Sequence, residues 1–249
     1  MKVRLAILTI IVYISSVCSA QDMVTDRPDQ TESASIVPKL HFQLESGFDF
    51  TDANSLSDIK DVKSIQSLLR FGLTSALELR LGFSNETATL VSDPEGSVSN
   101  ILNPGFKYRI FKGAGIIPDV AVMGSFLLPV KTDDADHFWS PEVRLAAQHD
   151  LLDVLSLGYN LALFWDNKNY DTQKFYSVTA GLNVIPKTCL FLEFFGENYK
   201  TPGNAGYIDF GFTYSIINNL QLDGYLGYGL NDNSNNMFWG VGFTVRLPK

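Results

Sequence analysis

The chain has 249 residues, with 19 Lys and Arg against 27 Asp and Glu, a formal net charge of −8. That balance excludes the basic face a nucleic-acid partner would want and the basic patch that anionic lipid would attract. Past residue 20 no apolar run reaches the roughly 18 residues of a membrane-spanning helix, so the chain is either soluble or crosses a membrane as strands, whose alternating faces average to near-neutral hydropathy.

Residues 1–20 read as a cleaved signal peptide. Lys2 and Arg4 give a positive start, residues 5–14 are apolar but too short to span, and Cys18-Ser19-Ala20 offers small residues before Gln21. Acylation at Cys18 is disfavoured because Val17 stands where a small residue is wanted. Cleavage leaves Cys189 as the one cysteine, so no intramolecular disulfide can form. It also leaves 17 basic residues (19 less Lys2 and Arg4) against 27 acidic, a net of −10.

Residues 21–38 are polar, contain Pro28 and Pro38, and read as an extended periplasmic segment before the first strand. Alternation then begins. Leu40, Phe42, Leu44, Ser46, Phe48 and Phe50 occupy one parity; His41, Gln43, Glu45, Gly47 and Asp49 occupy the other. One apolar and one polar face at period two is the mark of a strand with two solvents. The pattern recurs over 65–73, 77–84, 106–110, 118–128, 142–148, 155–165, 176–184, 190–197, 208–216, 220–230 and 239–247. Phe191 and Phe195 blur it in the ninth run.

Short connections fall near 74–76, 112–114, 149–153, 185–188 and 217–219, and longer polar ones at 51–61, 85–100, 130–138, 166–173, 198–205 and 231–236. The two kinds interleave, so every long loop lies on one rim. This predicts an all-β fold over 39–249: a closed antiparallel transmembrane β-barrel of twelve strands, with short periplasmic turns and longer external loops.

Trp139, Trp165 and Trp239 all fall on the apolar parity beside a long loop, as do Phe50, Phe83 and Tyr176. That is the aromatic girdle of a lipid interface, where a ring buries its body and keeps its polar edge wet. The apolar parity therefore faces lipid. The polar parity, with Arg70, Glu78, Arg80, Lys107, Arg109, Glu142, Arg144, Glu193, Asp209, Asp223 and Arg246 in mid-strand, faces a lumen. Those charges are the candidate solute pathway.

The run Thr25-Asp26-Arg27-Pro28-Asp29-Gln30-Thr31-Glu32-Ser33, followed by Val37-Pro38-Lys39 and Gln43-Leu44-Glu45-Ser46-Gly47, resembles the opening of a bacterial outer-membrane transporter family named for the meta-pathway of phenol degradation. Arg70-Phe71-Gly72-Leu73-Thr74, Gly105-Phe106-Lys107-Tyr108-Arg109 and Asn219-Leu220-Gln221-Leu222-Asp223 are similar to later family segments. The resemblance implies an outer-membrane barrel that moves small hydrophobic or aromatic compounds. The chain ends Leu247-Pro248-Lys249, where such barrels often end on an aromatic residue read by the outer-membrane assembly machinery, an expected partner.

No catalytic residue is assigned. A barrel hydrolase would need a histidine near a nucleophile, and of His41, His137 and His149 only His137, beside Ser140, is expected at the outer leaflet. Asp133, Asp134 and Asp136 offer oxygen ligands but lack the glycine and closing glutamate of a calcium loop, so no metal or cofactor is assigned. The opening segment is the sharper candidate. A twelve-stranded barrel leaves internal space, into which Asp26, Arg27, Asp29 and Glu32 can fold and pair with Arg70, Arg80, Arg109 or Arg144. The alternative is a disordered periplasmic leader or an assembly contact. The expected function is passage of small solutes across an outer membrane; the alternatives are a structural or adhesive surface barrel and, behind it, a lipid hydrolase.

Overall fold

Each alternating run forms a strand because period-two patterning offers two faces to two different surroundings, and each strand finds its partner in the next. In the computed structural model, which describes residues 23–53, 58–93, 96–132, 139–152, 154–165, 171–199 and 203–248, the strands are β1 (Phe42–Asp52), β2 (Ile59–Gly72), β3 (Leu77–Leu90), β4 (Ser97–Phe111), β5 (Asp119–Thr132), β6 (Ser140–Leu152), β7 (Leu155–Trp165), β8 (Thr172–Ile185), β9 (Thr188–Asn198), β10 (Asn204–Ile217), β11 (Leu220–Gly229) and β12 (Met237–Leu247). Every sequential pair is antiparallel, and β1 closes the barrel on β12, with Phe42 opposite Leu247 and Asp52 opposite Met237. Closure leaves no open sheet edge, the condition for strands to sit in lipid. The expected signal peptide and the 133–137 cluster, with His137, lie outside the described residues.

The twelve strands stand where alternation put them, but several run longer. The stretch 85–100, read as a loop, is mostly strand: β3 continues to Leu90 and β4 begins at Ser97. Likewise β2 begins at Ile59, inside the expected 51–61 loop. These extensions are mostly polar, with Ile59, Val62, Leu90 and Val98 scattered among the polar residues, so they carry no clean alternation to read. Conversely, the connection 112–118 on the short-turn rim is longer than expected. His149, expected in a turn, lies in β6, with its Nε2 3.1 Å from the Tyr159 hydroxyl.

The molecule is inverted relative to a soluble barrel. Its largest fully buried side chains are mainly polar or charged, among them Arg70, Lys107, Glu45, Glu78, Glu193 and Asp209. Large apolar residues cover the outside, Phe194 at 46% exposure and Leu192 and Phe212 at 45% among them. Water would not tolerate so continuous an apolar belt on a stable monomer; lipid would. The polar exceptions on the belt satisfy each other, as where Ser46 and Ser67 share a 2.8 Å hydrogen bond. Trp139 is exposed on this surface against Phe126, and Trp239 packs on Phe48 and Phe50.

Candidate functional site: a lumen crossed by the N-terminal segment

Residues 23–38 run inside the barrel rather than beyond it. An irregular chain in a lumen has no ladder, so its backbone groups must be met by side chains. The wall meets them. Glu45 accepts the Asp26 and Arg27 amides at 2.9 and 3.0 Å, Glu193 accepts the Gln30 amide at 2.7 Å, and Glu78 accepts the Val37 amide at 2.8 Å. Asn160 both accepts from the Glu32 amide and donates to its carbonyl, at 2.8 and 2.9 Å. Gln43 donates to the Val24 carbonyl and Arg144 to the Gln30 carbonyl, both at 3.0 Å. The segment leaves the lumen beside Gly72, where Lys39 bridges to β2.

Charge then anchors the segment in two directions. Asp26 points at β2, β3 and β4. Its carboxylate receives two bonds from Lys107 Nζ at 2.9 and 2.8 Å, Arg80 at 2.6 Å and Arg70 at 3.1 Å. Arg70 also pairs with Glu45 and Glu78, each at 2.7 Å. Desolvation opposes ionisation of Asp26, but Arg70, Lys107 and Arg80 outweigh it and hold the carboxyl well below the ordinary carboxylate range. The next residue points the other way. Arg27 reaches Asp49 on β1 at 3.4 Å and Asp223 on β11 at 3.3 Å. Further along, Glu32 pairs with Arg80 at 2.7 Å, and the Thr31 hydroxyl bonds Ser177 at 2.7 Å and also Glu193. Such buried charges are costly unless paired and hydrogen-bonded, and here the segment supplies the pairing.

The expected partners are therefore right in part. Arg70 and Arg80 bind the segment's acids. Arg144 binds its backbone instead, and pairs with Glu142 at 2.7 Å. Arg109 does not take part; it donates to the Ser75 carbonyl at the short-turn rim, because its position on β4 lies below the level of the segment. Lys107, two residues earlier, takes that role. Glu193 serves the segment as an acceptor, and Asp209 faces Glu193 across the ladder.

Two features escaped the pattern. The first is an aromatic wall on the lumen parity near the long-loop rim: Phe175, Phe195, Tyr207 and Phe238 form a buried cluster with Phe164 and Tyr225 against it. Phe195 stacks on Tyr207 at 4.7 Å, and Arg144 lies 4.6 Å over the Phe175 ring. Phe191 and Phe195 were the visible signal. The second is the space left for the segment by lumen glycines, Gly47 and Gly242 under Arg27 and Gly158 beside Thr31.

The segment divides the lumen. On its long-loop side is a cavity of about 330 Å³, reached by Gln66, Ser84, Glu86 and Asn103. On its short-turn side is one of about 550 Å³, reached by Gln148, Asp150, Asn183 and Cys189. Arg27, Pro28, Asp29 and Glu32 line both.

The family model described as "MetA-pathway of phenol degradation" matches residues 25–247. The chain belongs to this family. No curated protein matches it. Among solved structures it is similar to an outer membrane channel from Pseudomonas putida (15% identity, 86% of this chain and 98% of that one covered, TM-score 0.60). It is also similar to the KdgM and NanC porins (each 11% identity, 82% and 98% covered, TM-score 0.54). At these identities the likeness is one of fold. The family match begins at Thr25, so it takes in the lumenal segment together with the barrel.

Proposed function

We propose that this chain is an outer-membrane channel for small solutes, exported with residues 1–20 removed, whose passage is narrowed by residues 23–38. The observation that carries the reading is the pair of cavities separated by a segment held through ion pairs, inside a barrel with an apolar exterior. A purely structural barrel would have no reason to keep two water-accessible chambers in line. A wall of closed hydrogen bonds and lumenal charge needs no cofactor to select solutes. The names of the similar structures, an outer membrane channel and porins, support a channel, and the family resemblance favours small hydrophobic or aromatic solutes. Deleting residues 22–35 and recording single-channel conductance tests the narrowing. The deletion is expected to raise conductance clearly; unchanged conductance would sink the role given to the segment. Solute uptake in liposomes separates a channel from an adhesive or structural barrel.

A further inference from the structure

We infer that the lumen selects by charge against anions, so that the solutes it passes are neutral or cationic. This rests on the channel reading above. In the chamber on the long-loop side the acids are Asp26, Glu32, Glu45, Asp49 and Glu86, with Asp29 a sixth. The bases there are Arg27, Arg80 and Arg144. Each base is already committed: Arg27 to Asp49 and Asp223, Arg80 to Asp26 and Glu32, Arg144 to Glu142. Asp29 can be left out of the balance, since desolvation and then Glu193 push its carboxyl well up and favour the neutral form. Arg70 and Lys107 behind this lining also pair with its acids, and Glu78, Glu142 and Asp223 share its bases, so over the whole ion-pair network eight acids face five bases.

The short-turn chamber has the same sign. Asp150 and Glu32 line it with Asp29, against Arg27 alone. Each chamber also holds one carboxylate with no cationic partner among the described residues. Glu86 receives only the Ser84 hydroxyl at 3.2 Å, and Asp150 only the Gln148 amide at 3.2 Å.

Low-dielectric walls focus such a field along a narrow path, where it raises the local concentration of one sign of ion and depletes the other. Carboxylate side chains in a pore favour cations for the same reason. An aromatic acid would meet this field as an anion and be held back; the corresponding neutral phenol or a protonated amine would not. The specificity-determining residues are then Glu86 at one mouth and Asp150 at the other, because the other charged acids of the two chambers are each tied into ion pairs with the arginines and lysine that hold the segment.

The test is the reversal potential of the full-length protein in planar bilayers under a potassium chloride gradient. Potassium is expected to be preferred over chloride by about threefold or more. Glu86→Gln with Asp150→Asn, which touch no bond of the segment, should cut that preference by about half while leaving the conductance in symmetric salt within about twofold. Chloride preference, or equal passage of both ions, would overturn the inference and leave the channel reading standing. An unchanged ratio in the double variant would overturn the assignment to these two residues. A barrel that carries neither ion would overturn the channel reading, and the selectivity with it.

Discussion

The Arg27 guanidinium occupies the place where a side chain on Gly47 would begin: a Cβ there would lie 2.3 Å from Arg27 Cζ. Gly242, directly opposite Gly47 across the β1–β12 pair, leaves the same opening from the other side, with Arg27 Nε 2.7 Å from its would-be Cβ. Two facing glycines therefore make the floor on which Arg27 reaches Asp49 and Asp223. Gly47→Val should evict Arg27 and leave Asp223, whose side chain is fully buried, without its base. Breaking a buried pair from one side costs about 3–5 kcal/mol, so docking of the segment should weaken by that order. Conductance should rise toward that of the segment deletion. A variant that conducts like the parent would show that the floor is not needed.

The Asp26–Lys107 pair should behave as one unit. Every hydrogen bond of Lys107 Nζ goes to the segment, to both oxygens of Asp26 and to the Ser33 carbonyl. Asp26→Asn leaves Lys107 buried beside a neutral group, and Lys107→Met leaves Asp26 with its two arginines. The first should cost about 3–5 kcal/mol of docking and the second less; together they should cost less than the sum, with a coupling of about 1 kcal/mol or more. Ala34 is fully buried, so in an Ala34→Cys, Cys189→Ser background the rate of maleimide labelling reports undocking. Strict additivity would contradict the pairing.

Docking should also depend on pH, with opposite signs from two neighbouring carboxyls. Asp26 is held down when docked. Its contribution is present above the free aspartate value of about 4 and is lost only as pH falls through the lower docked value. Asp29 is pushed up when docked, by desolvation and then Glu193. Its contribution is full below about 4 and is lost as pH rises through the raised docked value. From mildly acid pH upward the Asp29 effect dominates, so conductance should climb with pH. Asp29→Asn should flatten that climb, and a slope that survives the substitution would assign it to another group.

Tryptophan fluorescence gives the orientation in lipid. Trp139 lies on the outer surface at 49% exposure, immediately before β6, and Trp165 and Trp239 lie at strand ends by the same rim. Brominated lipids with bromine near the headgroups should quench all three more strongly than lipids with bromine near the bilayer centre. The reverse order would place this rim in the apolar interior and refute the girdle.

Twelve strands, their closure into a barrel and the side that faces lipid were legible in the chain, because period-two alternation is a local property and each strand meets two solvents. Strand ends were less legible: beyond the apolar belt, residues such as Asn85, Glu86 and Thr87 are polar on both faces, and nothing in their order marks where pairing stops. The charged opening announced itself, but its partners did not. Asp26 and Lys107 are 81 residues apart and meet only because register sets Glu78 opposite Lys107 and Gly72 opposite Glu78. Gly47 and Gly242 become one floor only when β1 closes on β12. Alternation says which side chains point inward. Which of them touch depends on register and closure, and those are settled when the whole barrel forms around the segment it holds.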